Sequence, residues 1–308
     1  MYTFSQYVNK RFGKRVYKIC VDAGFTCPNR DGSKGEGGCS YCNNDAFSGM
    51  RRSDLQDNKT LPSIESQIIS GKAKLIKRYR AEAFLLYFQP YSNTYAPLDT
   101  LKKMYDYVYY DSDIVGISVG TRPDCITTDK VHLLELYTKD KEVWIEYGLE
   151  SSHDRTLQLI NRGHTCQDFL NAIEMTSGHE IKICVHIIFG LPGENHSDML
   201  TTVKRIAALP VHAIKFHPLH IVKGTKLYDQ WRMQETNKGH ESVAVLKIME
   251  LDEYVHLVCD ALALLPPSMI IQRLTGEAAS DLLIAPEWIR RKNEVINMIH
   301  AELKKRNK

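Results

Sequence analysis

The sequence has no apolar run of the roughly eighteen residues that crossing a bilayer requires. It has no apolar N-terminal core either. MYTFSQYVNKRFGKRVY is polar and basic, so no signal peptide is expected and a cytoplasmic location is. Charge of one sign is also scarce: 40 Lys and Arg against 37 Asp and Glu leave +3, too little to argue for a nucleic-acid partner alone. There is no linker, no low-complexity segment and no repeat beyond a strand–helix alternation. A second C-x2-C pair, which many structural zinc sites use, is absent.

What is present is a chain of 308 residues, 43% of them apolar, long enough to bury a large core. Barrels of the α/β type often reach this length as one unit. Residues 1–14 suit a short lead-in helix. Val16–Val21 is the first predicted strand, and a long glycine-rich loop runs from Asp22 to about Thr60. Pro62 opens a helix with Ile64, Ile68, Leu75, Ile76 and Tyr79 on one face. Strands are predicted at Phe84–Phe88, Ile114–Val119, Val143–Leu149, Ile181–Phe189 and Ala213–Phe216. Helices are predicted around Leu98–Val108, Thr128–Thr138, Arg155–Asn161 and Leu200–Ile206. Beyond Leu219 the pattern predicts a helix over 241–265, a short seventh strand at Met269–Leu274 and a helix from Glu287. Six strands separated by helices imply a parallel α/β sheet, open or closed.

In either architecture ligands sit at the C-terminal ends of the strands. The unusual residues fall there: the cysteine loop, QPYSNTY, GTRPD, ES, GLPGE and HPLH follow strands one to six. That clustering points to an enzyme. Cys125, Cys166, Cys184 and Cys259 are scattered and read as free thiols. Cys27, Cys39 and Cys42 are spaced C-x11-C-x2-C. Three thiolates leave one iron of a four-iron cluster open for a ligand, whereas four would complete it. The glycines at 35, 37 and 38 let the backbone wrap closely. Zinc is the rival reading, with Cys20 as a fourth ligand, although Cys20 lies inside the first strand.

These residues resemble the radical S-adenosylmethionine (SAM) superfamily. The common pattern there is C-x3-C-x2-C with an aromatic before the last cysteine, the place Tyr41 takes; here the first gap is eleven residues. GLPGE resembles the fifth-strand motif beside the adenine, with Ile188 and Gly190 in the matching places. GLES and LINRGH resemble the branch containing oxygen-independent coproporphyrinogen oxidases. That likeness implies a ribose contact for Glu150 and a carboxylate contact for Arg162. The second-strand motif is replaced by QPYSNTY, where Gln89, Ser92 and Asn93 are candidates for the methionine amine. Ser118 stands where that branch has a glutamate.

The resemblance implies an α/β fold, a partial (βα)6 TIM-like barrel over 1–218 with its cluster loop at 22–60. Residues 219–308 form an α-rich extension. It also implies a [4Fe-4S] cluster on Cys27, Cys39 and Cys42, with SAM as second cofactor. A low-potential electron donor such as flavodoxin or ferredoxin would reduce the cluster. A 5′-deoxyadenosyl radical would then abstract a hydrogen from the substrate. DAGFTCPNRDGSKGEGGCSYCN, YFQPYSNTYAP, GTRPD, GLES and QRLTGE resemble a family of about three hundred residues related to the radical SAM subunit of Elongator. That likeness implies tRNA as substrate, with the C5 side chain of the wobble uridine converted from a carboxymethylaminomethyl to an aminomethyl type.

Each residue also has an ordinary reading. Glu150 suits a helix cap, Arg162 a surface position, GLPGE a simple turn and His186 a core histidine. Tyr91 and Tyr95 suit loop packing or base stacking. His217 and His220 suit loop or substrate-pocket roles, and Arg273 and Thr275 a pocket-lining or SAM-side role. Candidate phosphate contacts are Lys10, Arg11, Lys14, Arg15, Arg290, Arg291, Lys304, Lys305 and Arg306. Two alternatives stay open: the same chemistry on a small molecule or protein, and a zinc-stabilised nucleic-acid-binding protein without catalysis.

Overall fold

The computed structural model describes residues 1–48, 52–54, 60–236 and 246–306. β1 (Tyr2–Thr3) leads into α1 (Phe4–Phe12), and β2 (Val16–Val21) into the long loop, which carries the single turn α2 (Asn44–Phe47). Then come α3 (Ile64–Tyr79), β3 (Ala83–Phe88), α4 (Leu98–Tyr105), β4 (Ile114–Thr121), α5 (Thr128–Glu135) and β5 (Glu142–Glu150). The alternation continues with α6 (Asp154–Leu159), α7 (Cys166–Thr176), β6 (Lys182–Phe189), α8 (His196–Ala207) and β7 (Ala213–Pro218). The last elements are β8 (Ile221–Val222), α9 (Lys226–Thr236), α10 (Leu251–Ala263), β9 (Ile270–Arg273), β10 (Leu283–Ala285) and α11 (Lys292–Arg306).

Eight strands form one parallel sheet in the order β1-β9-β7-β6-β5-β4-β3-β2. It curls into a partial TIM-like barrel, so the fold expectation holds. The sheet exceeds six strands because β9 adds to β7 and β1 adds to β9. Among the described strands, β8 and β10 make a separate antiparallel pair.

Side-chain alternation divides the sheet into two faces. Phe84, Leu86, Phe88, Ile117, Val119, Ile145, Tyr147, Val185, Ile187 and Phe216 point outward into the main core with the helices. These strands read as continuous apolar runs because both faces are covered. On the inner face, Val16, Ala83, Leu85, Trp144, Cys184, Ala213 and Ile270 close the bottom of the barrel with Val8 of α1. Thr3 and Gln6 form a capping box that starts α1, and Phe4 and Tyr7 meet Trp144 edge-on at 5.7 and 5.6 Å. Each aromatic pair of this kind adds about 1 kcal/mol beyond its burial. The lead-in helix is therefore the barrel's plug.

Several expectations change. The stripe on α3 is only partly inward: Ile64 and Ile68 are buried, while Ile76 and Tyr79 face solvent. Tyr79 instead stacks on Tyr17 at 4.9 Å. The helix expected over 241–265 begins at Leu251, after an extended Glu250, with Asp252 and Glu253 favoured in its first turn. Residues 241–245 lie outside the described residues, as do 49–51 and 55–59 of the cysteine loop. Leu246 and Met249 are buried without being helical, and Trp288 Nε1 donates to the Met249 carbonyl at 2.9 Å. Helix α9 and strands β1, β8 and β10 carry no sequence signal strong enough to have been predicted, whereas α7 does: Thr165 and Asp168 form a capping box, and Phe169, Ala172, Ile173 and Thr176 share its buried face.

Candidate cofactor-binding site

The site grows from the end of β2. There the Asp22 carboxylate receives Nε and Nη2 of Arg52 at 2.7 and 2.6 Å, and Gln67 bonds both backbone groups of Asp22. The chain then turns at Cys27, whose carbonyl accepts from Arg30 N at 2.8 Å. Cys42 N donates to Cys39 O at 3.0 Å, closing the tight turn of the C-x2-C pair. Ser40 N donates to Ile160 O at 2.8 Å, fastening that turn to the end of α6. Gly38 has φ +82°, and a Cβ there would lie 2.8 Å from Arg30 Nε. The glycine is required both by the backbone and by the arginine packed on it.

Cys27, Cys39 and Cys42 line one cavity over the strand ends, with Tyr41, Gln89, Glu150, Arg162 and Ile188. Arg162 is buried. Its Nη1 lies 3.4 Å from Cys39 Sγ, and its Nη2 donates to Gly148 O at 2.6 Å and stands 3.3 Å from Glu150 Oε1. Burial pushes the Glu150 carboxyl up, against the pull of Arg162. Glu150 holds φ +70°, a left-handed conformation that a glutamate adopts only under constraint.

Two further guanidinium groups surround the cysteines. Arg30 Nη2 donates to Cys42 O at 2.5 Å. Arg122, 2% exposed, bonds Asp124 through Nε and Nη2 at 2.9 Å each and donates from Nη1 to Arg162 O at 2.7 Å. Burial opposes ionisation of Asp124, but Arg122 and Lys34 outweigh it and hold the carboxyl down to about 2. Burial and neighbouring Cys39 push the Cys42 thiol up, with Arg30 and Arg162 acting against them.

These observations fit an iron–sulfur cluster. Cys27, Cys39 and Cys42 do not form a set within the 4.8 Å spread of a single-ion site. Three cations beside three thiols match the negative charge of thiolate ligands. Cys20 does not join them; it lines a groove at the open seam of the sheet. A SAM cradle fits as well. Arg162 Nε is buried without a partner, and a Cβ on Gly148 would lie 2.6 Å from Arg162 Nη2.

The cavity does not gather every expected residue. Ser92 and Asn93 are fully buried away from it. Ser92 Oγ bonds Thr121 Oγ1 at 2.9 Å, and Asn93 Nδ2 donates to three carbonyls, those of Phe88, Pro90 and Gly120. They brace the loop that follows β3, leaving Gln89 as the cavity-lining member of that trio. Gly190 turns the chain at φ +87° beside the cavity without lining it. Glu194 of the same motif accepts from Ser151 Oγ, tying GLPGE to GLES. Tyr91 lines the cavity under Arg52, whose guanidinium stands 4.1 Å from the ring centroid; Tyr95 bonds Ser33 outside it.

His186, His217, His220 and Arg273 line the cavity, and Thr275 is buried at its seam side. Among the surface candidates, Arg11 pairs with Glu142, Arg15 with Glu82, Arg291 with Glu294 and Arg306 with Glu302 and Asp260.

Sequence reasoning missed Arg30, Arg122 and a buried polar layer between the cysteines and the plug. That layer centres on Glu146, whose Oε1 accepts from Lys18 and from Ser118 at 2.6 Å. Its Oε2 accepts from Lys215 and faces His186 Nε2 at 2.8 Å. The signal was present: Lys18, Glu146 and Lys215 each interrupt an apolar strand, where a lone charge demands partners.

Comparison with known proteins agrees with this geometry. A model described as the Radical SAM superfamily matches residues 27–206, and one described as the Radical_SAM C-terminal domain matches 211–305. YtqA of Bacillus subtilis is 37% identical over 305 residues, covering 99% of this chain and 90% of that protein. A tRNA uridine(34) acetyltransferase of Methanocaldococcus infernus is 25% identical over 134 residues, 42% of this chain and 24% of that protein. The solved Elp3 of Methanocaldococcus infernus superposes with a TM-score of 0.61 at 15% identity. It covers 95% of this chain, which spans 63% of that one.

Proposed function

The chain belongs to the Radical SAM superfamily, and on that premise we propose that it is a radical SAM enzyme acting on the C5 side chain of a tRNA wobble uridine. The observation that carries the enzyme reading is the sharing of one cavity by Cys27, Cys39 and Cys42 with Glu150 and Arg162. The tRNA part draws its support from the partial similarity to the uridine(34) acetyltransferase and from the likeness of the QRLTGE and GTRPD segments described above.

In this reading the three cysteines hold the cluster, and Gln89, Glu150, Arg162 and Ile188 hold SAM, with Tyr41 beside them. When bound, these groups supply one-electron chemistry that opens a carbon–hydrogen bond of the substrate. Arg162 binds the methionine carboxylate with the donor capacity its buried Nε leaves unused. Glu150 accepts from the ribose hydroxyls, held in place by Arg162. Tyr41 and Ile188 wall the cavity with apolar surface and exclude water. Arg30 and Arg122 balance the negative charge of the cysteine ligands.

The test is anaerobic reconstitution with iron and sulfide, followed by incubation with SAM, dithionite and tRNA from a strain lacking the gene. The expected result is a brown protein that releases 5′-deoxyadenosine and removes the carboxymethyl mass from the wobble nucleoside. A colourless protein holding one tight zinc would overturn the radical reading. Turnover of SAM with unchanged tRNA would overturn the tRNA substrate alone.

A further inference from the structure

Below the cysteines the cavity carries more positive charge than its one buried carboxylate, Glu146, balances. Lys215 of β7 and Arg273 of β9 are register partners in neighbouring parallel strands, and both side chains line the cavity. Like charges placed opposite one another across strands are unfavourable unless something stands between them. Lys18 of β2 adds a third cation to the same layer.

The carboxylates at hand do not answer this charge. Glu146 is fully buried, and both its oxygens are taken by Lys18, Ser118, His186 and Lys215. Glu150 lies in the upper layer against Arg162. Glu277, at the rim, is exposed and bonded by Lys292 at 2.7 Å. The layer therefore holds Lys18, Lys215 and Arg273 against Glu146. The Arg273 guanidinium has no hydrogen-bond or ion-pair partner among the described residues. It is only partly buried, where the cavity meets the groove along the open seam of the sheet. His217 Nε2, in the same cavity, is buried without a partner.

We propose that Lys215 and Arg273 form a receptor for an oxyanion of the substrate, and that this oxyanion is a carboxylate on the group being remodelled. A guanidinium presents parallel N–H donors that match the two oxygens of a carboxylate, and an ammonium beside it adds a point charge. Arg162, the cation assigned to SAM, sits one layer higher beside Cys39, so the two anions have separate partners. The assignment to a carboxylate rests on the tRNA reading, whose substrate side chain ends in one; the receptor itself rests on the charge arrangement.

The test uses the cluster-loaded protein and equilibrium dialysis against three matched pairs. These are 5-carboxymethylaminomethyluridine with its methyl ester, uridine 5′-monophosphate with uridine, and iminodiacetate with its diamide. The acid is expected to bind about tenfold or more tightly than its ester. The preference is expected to vanish in Arg273→Gln and to weaken in Lys215→Met. Unchanged SAM affinity in Arg273→Gln reports an intact fold. A preference within the phosphate pair alone would overturn the carboxylate assignment. A preference for iminodiacetate without nucleoside binding would support the receptor and overturn the tRNA reading. No preference in any pair, or one that survives Arg273→Gln, would overturn the receptor.

Discussion

Glu150 and Arg162, twelve residues apart in sequence, meet at 3.3 Å on the wall of the cysteine cavity. Breaking a buried pair from one side leaves an uncompensated charge and typically costs about 3–5 kcal/mol. Arg162→Met is therefore expected to lower stability by about 3 kcal/mol and SAM affinity by tenfold or more. The double variant Glu150→Gln, Arg162→Met is expected to regain most of the stability and none of the affinity. Urea denaturation and equilibrium dialysis with SAM separate the two effects, and a double variant that also regains affinity would remove Arg162 from the cradle.

The three loop cysteines and Cys20 divide the metal readings. Alanine at Cys27, Cys39 or Cys42 is expected to reduce bound iron from about four atoms to near zero after anaerobic reconstitution. Alanine at Cys20 is expected to leave iron content and the brown absorbance unchanged, since Cys20 lines the seam groove instead. Loss of tightly held zinc in all four variants would restore the four-cysteine zinc site.

The legible parts of the fold were those where periodicity and burial agree. All seven predicted strands exist, each within two residues of its expected ends at both sides, because apolar strands covered on both faces leave little ambiguity. Helices were less legible. The Ile76 and Tyr79 positions of α3 belong to its apolar stripe in sequence yet are exposed, Tyr79 meeting the sheet only by stacking on Tyr17 of β2. The site was legible where a motif couples residues through the chain, as Cys39 and Cys42 or Glu150 and Arg162 do. It was illegible where the assignment depended on which way a loop folds. Ser92 and Asn93 follow a strand end as cradle residues do, but Thr121 takes the Ser92 hydroxyl and backbone carbonyls take the Asn93 Nδ2 donors, away from the cavity. Arg122 lay inside the quoted GTRPD segment, and only the fold brings it beneath Arg162.

Asp124 is expected to make the protein acid-sensitive. Its carboxyl titrates near 2 in the fold, against an ordinary value near 4, because Arg122 and Lys34 overcome the penalty of burial. A depressed carboxyl contributes stability above its unfolded value and loses it as the pH falls through the folded one. The contribution at pH 7 is about 2 kcal/mol. Asp124→Asn is expected to be less stable by that amount at neutral pH, and its difference from the parent should close between about pH 4 and 2. A gap that stays constant in urea titrations across this range would mean that the ion pair contributes nothing.

Lys215 sets the pH range over which the lower layer can take an anion. Burial lowers its ammonium to about 8, with Glu146 acting in the opposite sense and Lys18 and Arg273 adding to the depression. The groups facing it do not titrate across this range. Burial pulls His186 down to about 4, and burial pushes the Tyr87, Cys20 and Cys184 side chains up. Glu146 is held ionised by Lys18 and Lys215 against the same burial. The charge of the layer therefore falls by one as the pH passes through about 8, unless a bound anion holds the proton on. Affinity for the carboxylate-bearing nucleoside is expected to be constant below that point and to fall above it. The complex is expected to take up protons when formed near pH 8, detectable as buffer-dependent heats of binding. Lys215→Met should bind more weakly at pH 7 and lose both the pH dependence and the proton uptake. If the parent shows neither, Lys215 does not contact the anion, and Arg273 would be left as its sole charged partner in this layer.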